Sequence, residues 1–285
     1  MKFASVVFKG KPTFGAVVDG QFFDLGGGRL DDGCRDLADL FAKDLVASAR
    51  TLVAGATPDA SADELDFLPV NPRPDARLFA LGWAYRDHQL ETGKEAPEHP
   101  VFFSKLPQSL VGHGEPIVKP AISDMFDYEG ELVIVIGKPG RHIAQEAAME
   151  HVAGYTLLMD GSVRDWQKHS ITAGKNFDSS SSTGPWIVTA DEIAEPTKAF
   201  HLTTRLNGEV MQDAPFEQNV WSIPFLVHYI STFCELRAGD AISTGTPGGV
   251  GAKRNPPRFM KAGDVLEVEV SGIGVLRNAV VSEQA

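Results

Sequence analysis

The chain has 285 residues, of which 43% are hydrophobic and 22% charged, and its formal net charge is -12. This size suits one large domain, or a large domain with a small appendage, and the ordinary composition excludes a wholly disordered chain. So acidic a surface repels phosphate backbones and anionic headgroups, and no basic patch relieves it, so neither nucleic acid nor a membrane is expected as a partner.

Cys34 and Cys234, the two cysteines, stand in no CxxC or Cys/His cluster, which leaves no disulfide framework and no zinc signature. The opening MKFASVVFKGKP lacks the apolar stretch of a signal peptide. Apolar runs elsewhere fall well short of the roughly 20 residues that span a bilayer. A cytoplasmic enzyme is the expectation. With 28 glycines and 18 prolines the chain is rich in turns, which favours sheet over a helical bundle.

Residues 1–70 read as a small N-terminal domain, and 71–285 as the main one. Short alternating segments at 2–8, 13–18 and 21–25, joined by GKP and DG turns, predict a meander. Leu37, Leu40, Phe41, Leu45, Ala49, Leu52 and Val53 then recur at helical spacing and predict one amphipathic helix. The proline-rich VNPRPDAR, residues 70–77, is the candidate linker. Beyond it, strands are expected at 78–81, 132–136, 154–159, 186–188, 202–206, 241–243, 265–270 and 275–281. Asn207-Gly208 is a two-residue hairpin signal, and 223–233 has helical periodicity. The polar stretch at 85–100 has room for a helical turn or two and is expected to be mobile. The serine run 179–182 reads as a flexible loop.

The segment DYEGELVIVIG, residues 127–137, carries the most chemistry. Alternation along a strand puts Glu129 and Glu131 on one face. The strand beyond them is apolar on both faces, so it is covered on both sides. Two like charges entering such a strand are costly unless something positive lies between them. Glu267 and Glu269 have the same spacing, but there apolar residues alternate with the acids, which marks a solvated face. A third acid, Asp160, ends the strand of GYTLLMD. If a helix starts there, Asp160, Arg164 and Gln167 share a face. Three carboxylates without His or Cys suit a hard divalent cation, Mg²⁺ or Mn²⁺ ahead of Ca²⁺. The bland alternatives are that each glutamate pairs with Arg or Lys or simply faces water, and that Arg164 is a structural partner of Asp160 or Asp165.

At this point the sequence resembles the fumarylacetoacetate hydrolase family. The likeness rests on YEGELVIVIG, GYTLLMDGSVRDWQ, GKNFD, GPWIVTADEI, NGEVMQ, AGDAISTGTPGGVG and KAGDVLEVEVSGIG, running from about residue 78 to 280. It implies a mostly β (α+β) fold of rolled mixed β-sheet with a small N-terminal α+β domain, and a metal held in the mouth by Glu129, Glu131 and Asp160. It also implies that Lys175, Arg164 and Gln167 meet substrate oxygens, and that Thr246 sits near a substrate carboxylate. Relatives with a mobile lid carry a His-x-x-Glu dyad in a YxDH segment, matched here by Tyr85, Asp87, His88 and Glu91. Tyr85 then joins the substrate contacts, and His88, Glu91 and Lys175 form the catalytic group. Homodimers are common in the family. The chain departs from the family at Ala84, at MDGS (159–162) and at the serine run, all bordering the pocket.

The resulting expectation is a metal-dependent hydrolase that cleaves a C–C bond in a diketo acid such as an acylpyruvate or fumarylpyruvate. Its substrate is a small oxo-carboxylic acid. The alternative is an isomerase or decarboxylase acting on a hydroxyheptadienedioate- or oxaloacetate-like acid in aromatic catabolism, and a further one is a non-catalytic metal and oxo-acid binder. A nucleotide site at GTPGGVG is rejected, because no GK[ST] follows and NPPRF continues as loop. No GxSxG supports a serine hydrolase.

Overall fold

The alternating and doubly apolar runs pair into mixed sheets in the computed structural model, which describes residues 1–93 and 97–284. The larger sheet has twelve strands. Its centre is the antiparallel pair Gly130–Ile136 and Val152–Met159, flanked by Ala241–Ser243 on one side and Ser181–Thr189 on the other. A second sheet of five strands runs from Glu209–Pro215 to Ile117–Lys119. Every residue of Gly130–Ile136 is buried, as its unbroken apolar run predicts. The main core packs Leu132, Ile134 and Ile136 from the larger sheet against Leu266, Val268 and Val270 from the smaller one.

Most of the expected strands form where the alternation puts them. Asn207 and Gly208 both take positive φ, 54° and 82°, as a two-residue hairpin of the right twist requires. Glu267 and Glu269 lie half-buried on the alternating face of their strand, paired with Arg277 and Arg205. The N-terminal meander is not a separate sheet. Its strand Lys2–Phe8 pairs with Ser181–Thr189, so the twelve strands run on without a break.

Two expectations fail for identifiable reasons. The single helix over 37–53 is two, Leu37–Ala42 and Val46–Ala54. Asp44 adopts φ 53° between them, and the Leu45 N–H bonds to the Leu40 carbonyl while the Asp44 N–H bonds to that of Phe41. That is a left-handed helix stop, and the apolar spacing runs across it because both helices bury the same side. The serine run is no flexible loop: Ser180, Ser181 and Ser182 are buried, and the last two belong to Ser181–Thr189. Their small hydroxyls are bonded to Lys105, Gly161 and Asn278. Of the polar stretch at 85–100, Arg86–Thr92 is helical, and residues 94–96 lie outside those described. Among the described residues no helix is long and apolar enough to cross a membrane.

Candidate active site

Strand pairing builds the acidic cluster. Gly130 stands opposite Met159, which sets Glu129 beside Asp160, and the Asp160 N–H donates to the Glu129 carbonyl at 2.8 Å. Glu129 and Glu131 lie on either side of Gly130, and a Cβ there would meet Thr204 Oγ1 at 2.1 Å. The three carboxylates are buried and each offers an oxygen within 4.8 Å of the others. The triad read from the sequence therefore converges. The helical-face argument that attached Asp160 to it does not hold, because Asp160 precedes the helix, which begins at Arg164. The chain reaches the same place through the short strand Ser162–Val163, paired with Phe126–Asp127.

Three cations enclose the acids. Lys175 Nζ donates to Glu129 Oε2 at 2.6 Å and to Asp160 Oδ2 at 2.7 Å. Arg164 lies 2.7 Å from Glu129 Oε1 and 2.8 Å from Asp127 Oδ2, and it donates to Gln167 Oε1 at 3.1 Å. Its partners are thus Asp127 and Glu129 and not Asp160 or Asp165, while Glu129 does pair with Arg and Lys, as the bland reading of the glutamates has it. Lys105, fully buried, lies 2.9 Å from Asp160 Oδ1 and also donates to Ser181 Oγ and to the Lys175 carbonyl.

The electrostatics divide the acids. Burial alone would raise Glu129, but the Lys175 and Arg164 charges outweigh it and hold the carboxyl at about 2. Burial, and then the charge of Asp160, push Glu131 well above the usual carboxylate range. The Ser243 hydroxyl donates to Glu131 Oε2, whereas Oε1 is buried with no hydrogen-bond partner. For Lys175 burial works against the charge, yet Asp160 and Glu129 raise it. Burial lowers Lys105. A buried carboxylate oxygen without a donor, in an all-oxygen set, is the coordination that a hard divalent cation completes. The residues present fit such an ion.

The cluster opens into a cleft of 590 Å³ lined by Glu129, Arg164, Gln167, Lys175, Thr246 and His88, among others. His88 Nδ1 lies 2.8 Å from Glu91 Oε1, and the Gly249 N–H donates to Glu91 Oε2 at 2.9 Å. Thr246 Oγ1 donates to the Gly130 carbonyl and accepts from Gln212 Nε2. Of the predicted site residues, Glu91, Glu131 and Asp160 do not line the cleft, and among the predicted substrate contacts neither does Tyr85. It is fully buried against Phe216 just before the helix Arg86–Thr92, and burial raises its phenol.

Sequence reasoning missed Asp127, Lys105 and Gln212. Asp127 accepts from the backbone of Tyr128, Gly251 and Ala252 and from Arg164, tying the 249–252 loop to the site. The signal was present: the alternation that groups Glu129 with Glu131 also includes Asp127. Gln212 bridges Gly130 N–H and Thr246, and it ends the NGEVMQ motif. Nothing in the sequence sets Lys105 apart from a lysine closing an exposed strand.

A family model, fumarylacetoacetate (FAA) hydrolase C-terminal, matches residues 77–281. The chain belongs to this family. It is 41% identical to the oxaloacetate tautomerase YisK of Bacillus subtilis (strain 168) over 215 residues, covering 73% of this chain and 71% of that one. An HpcE protein from Mycobacterium smegmatis superposes with a TM-score of 0.87 at 32% identity, covering 100% of both chains. The maleylpyruvate hydrolase from Sphingobium sp. SYK-6, solved in complex with manganese(II) and pyruvate, gives 0.82 at 25% identity, again over 100% of both. These family members are enzymes, and a mixed-sheet fold is common to them.

Proposed function

We propose that the protein is a divalent-cation-dependent tautomerase that interconverts the keto and enol forms of a 2-oxo acid of the oxaloacetate type. The observation that carries this reading is a buried triad of Glu129, Glu131 and Asp160 whose Glu129 lines the same cleft as His88 of the His88–Glu91 dyad. The likeness to YisK supports tautomerisation in particular. It moves the reading away from the C–C bond hydrolase expected from the sequence. Glu129, Glu131 and Asp160 would hold the cation. As Mg²⁺ or Mn²⁺ it would act as a Lewis acid, making the C3 protons of a 2-oxo acid more acidic.

The chain's own groups supply the proton transfer. Glu91, fixed by the Gly249 N–H, accepts from His88 Nδ1 and so leaves Nε2 as the basic nitrogen. His88 Nε2 takes a proton from C3 of the keto acid, and solvent at the cleft mouth returns one to the enolate oxygen. In the reverse direction the oxygen loses its proton and the His88 imidazolium protonates C3. Lys175 and Arg164 keep Glu129 ionised and place positive charge beside the negative charge that develops.

The second reading is hydrolysis of an acylpyruvate, in which His88 takes its proton from water. The likeness to a maleylpyruvate hydrolase that binds manganese and pyruvate favours it. With Mn²⁺ present, deuterium exchange at C3 of oxaloacetate and pyruvate release from fumarylpyruvate separate the two. Accelerated exchange without pyruvate release is expected. Neither activity with any 2-oxo acid tested would overturn the assignment.

A further inference from the structure

His88 and Glu91 stand on Arg86–Thr92, a helix of seven residues, too short to keep its place without outside contacts. Among the described residues, one hydrogen bond ties a side chain of this helix to a segment beyond residues 83–93: the Gly249 N–H donates to Glu91 Oε2 at 2.9 Å. The position of Gly249 therefore sets that of the dyad. Gly249 has φ 100°, and a Cβ there would run into the Met211 carbonyl, so the backbone passes tight against the strand Glu209–Pro215. Arg254 spans that contact. Its Nη2 donates to the Met211 carbonyl at 2.7 Å, and its Nε lies 3.3 Å from the Gly249 carbonyl and 3.1 Å from Tyr128 Oη. Tyr128 Oη itself donates to the Gly249 carbonyl at 3.2 Å.

An arginine that bonds carbonyls often does no more than brace a loop. Arg254 differs in two respects. It is half-buried and, among the described residues, makes no ion pair, so its donors go to uncharged oxygens at one spot. The residue it grips there is also the one that holds Glu91, whose other oxygen lies 2.8 Å from His88 Nδ1. We infer that Arg254 is a positioning residue for the base: by clamping Gly249 against Met211, it aims the Gly249 N–H at Glu91 and so fixes the His88 imidazole in the cleft. None of its bonds reaches the acid triad. The inference rests on the proposed function for the role of His88 as base.

The test is a double-mutant cycle on C3 exchange with Mn²⁺ present, joined to a readout that needs no turnover. Arg254→Met should slow exchange about 10- to 100-fold, as expected for a misplaced catalytic group, mainly through kcat and with Mn²⁺ affinity within about twofold. In the Glu91→Gln background the same substitution should cost less than about threefold, because the carboxylate it positions is gone. Arg254→Lys, which keeps one ammonium donor, should recover part of the loss, and Tyr128→Phe should show the same coupling in smaller measure. NMR of protein labelled with ¹⁵N-histidine, with His88 assigned by its absence in His88→Gln, reports the tautomer directly. The proton should sit on Nδ1 in the unaltered protein and move toward Nε2 in Arg254→Met. An equal loss in both Glu91 backgrounds, or a His88 tautomer indifferent to Arg254, overturns the inference. Should Arg254→Met fail to fold, Arg254→Lys and Tyr128→Phe carry the same two readouts. A tautomer that shifts with Arg254 where no protein exchanges C3 strikes tautomerisation alone, and exchange that persists with an unmoved tautomer strikes the clamp alone.

Discussion

Replacing Lys105 with Met removes the cation that faces Asp160 Oδ1 and leaves an apolar side chain of similar length. Around the site four buried carboxylates, Asp127, Glu129, Glu131 and Asp160, face three cations, Lys105, Arg164 and Lys175. Lys105, Arg164 and Lys175 offset the acids at Asp127, Glu129 and Asp160, while burial and the charge of Asp160 push the Glu131 carboxyl upward. Lys105→Met breaks that balance and strips Asp160 of a partner in a site without water exposure. Breaking a buried pair typically costs about 3–5 kcal/mol. Because burial already weakens the hold of Lys105 on its proton, the lower end applies, about 3 kcal/mol. In a chain of this size that corresponds to a Tm lower by about 5 °C. A divalent cation on the triad supplies the missing positive charge, so the deficit should narrow when Mn²⁺ is added. Urea and thermal unfolding of both proteins, with chelator and then with Mn²⁺, measure it. A deficit under about 1 kcal/mol in chelator, well below the cost of a broken buried pair, would refute the charge-balance reasoning. A deficit indifferent to Mn²⁺ would refute the cation site.

Three further outcomes follow from the same structure. His88→Gln should slow C3 exchange by about 10²–10⁴-fold, the usual worth of a general base; titration calorimetry should find Mn²⁺ affinity little changed, because His88 hydrogen-bonds Glu91 and not the triad. Gly130→Ala puts a methyl group against Thr204 and Val268 in a sealed strand. It should cost about 1–3 kcal/mol in urea unfolding and weaken Mn²⁺ binding by spreading the glutamates. Asp39 is raised by burial but drawn down to about 2 by hydrogen bonds from the Arg35 side chain and backbone and from Arg73. A depressed carboxyl stabilises the fold above its unfolded pKa and loses that contribution as pH falls toward the folded value. Asp39→Asn should therefore be less stable by no more than about 2 kcal/mol at pH 7, given the exposure of Arg35, and the gap should close between pH 5 and pH 2.

The parts of the site legible in the sequence are those governed by a period. Alternation alone pairs Glu129 with Glu131, and their doubly buried strand explains why they need a positive partner. Asp160 was identified correctly from a wrong premise. Its place comes from register across two strands, which no single-strand pattern encodes. The two short helices at 37–54 look like one, because apolar spacing continues through a stop set by the φ of Asp44. The serines at 180–182 look polar and mobile, since composition does not show that Lys105 and Asn278 wait to bond them. Lys105 itself was invisible for the same reason: its partners lie 55 to 76 positions away and meet it only through the sheet.

This division has a functional consequence. Glu131 stands on a central strand of the larger sheet, and Glu129 and Asp160 flank the ends of the two paired central strands, whose ladder hydrogen bonds and packing on both faces fix the frame. His88, Glu91, Lys168 and Lys253 stand on short helices and turns that the sheet only supports. Changing the second group leaves the first intact, because no ladder bond passes through it. A fold divided in this way keeps a fixed place for a 2-oxo acid while its proton donor, water access and tail recognition vary. Such a division accounts physically for proteins named as a tautomerase and a hydrolase sharing this architecture. It also locates substrate choice in the outer group.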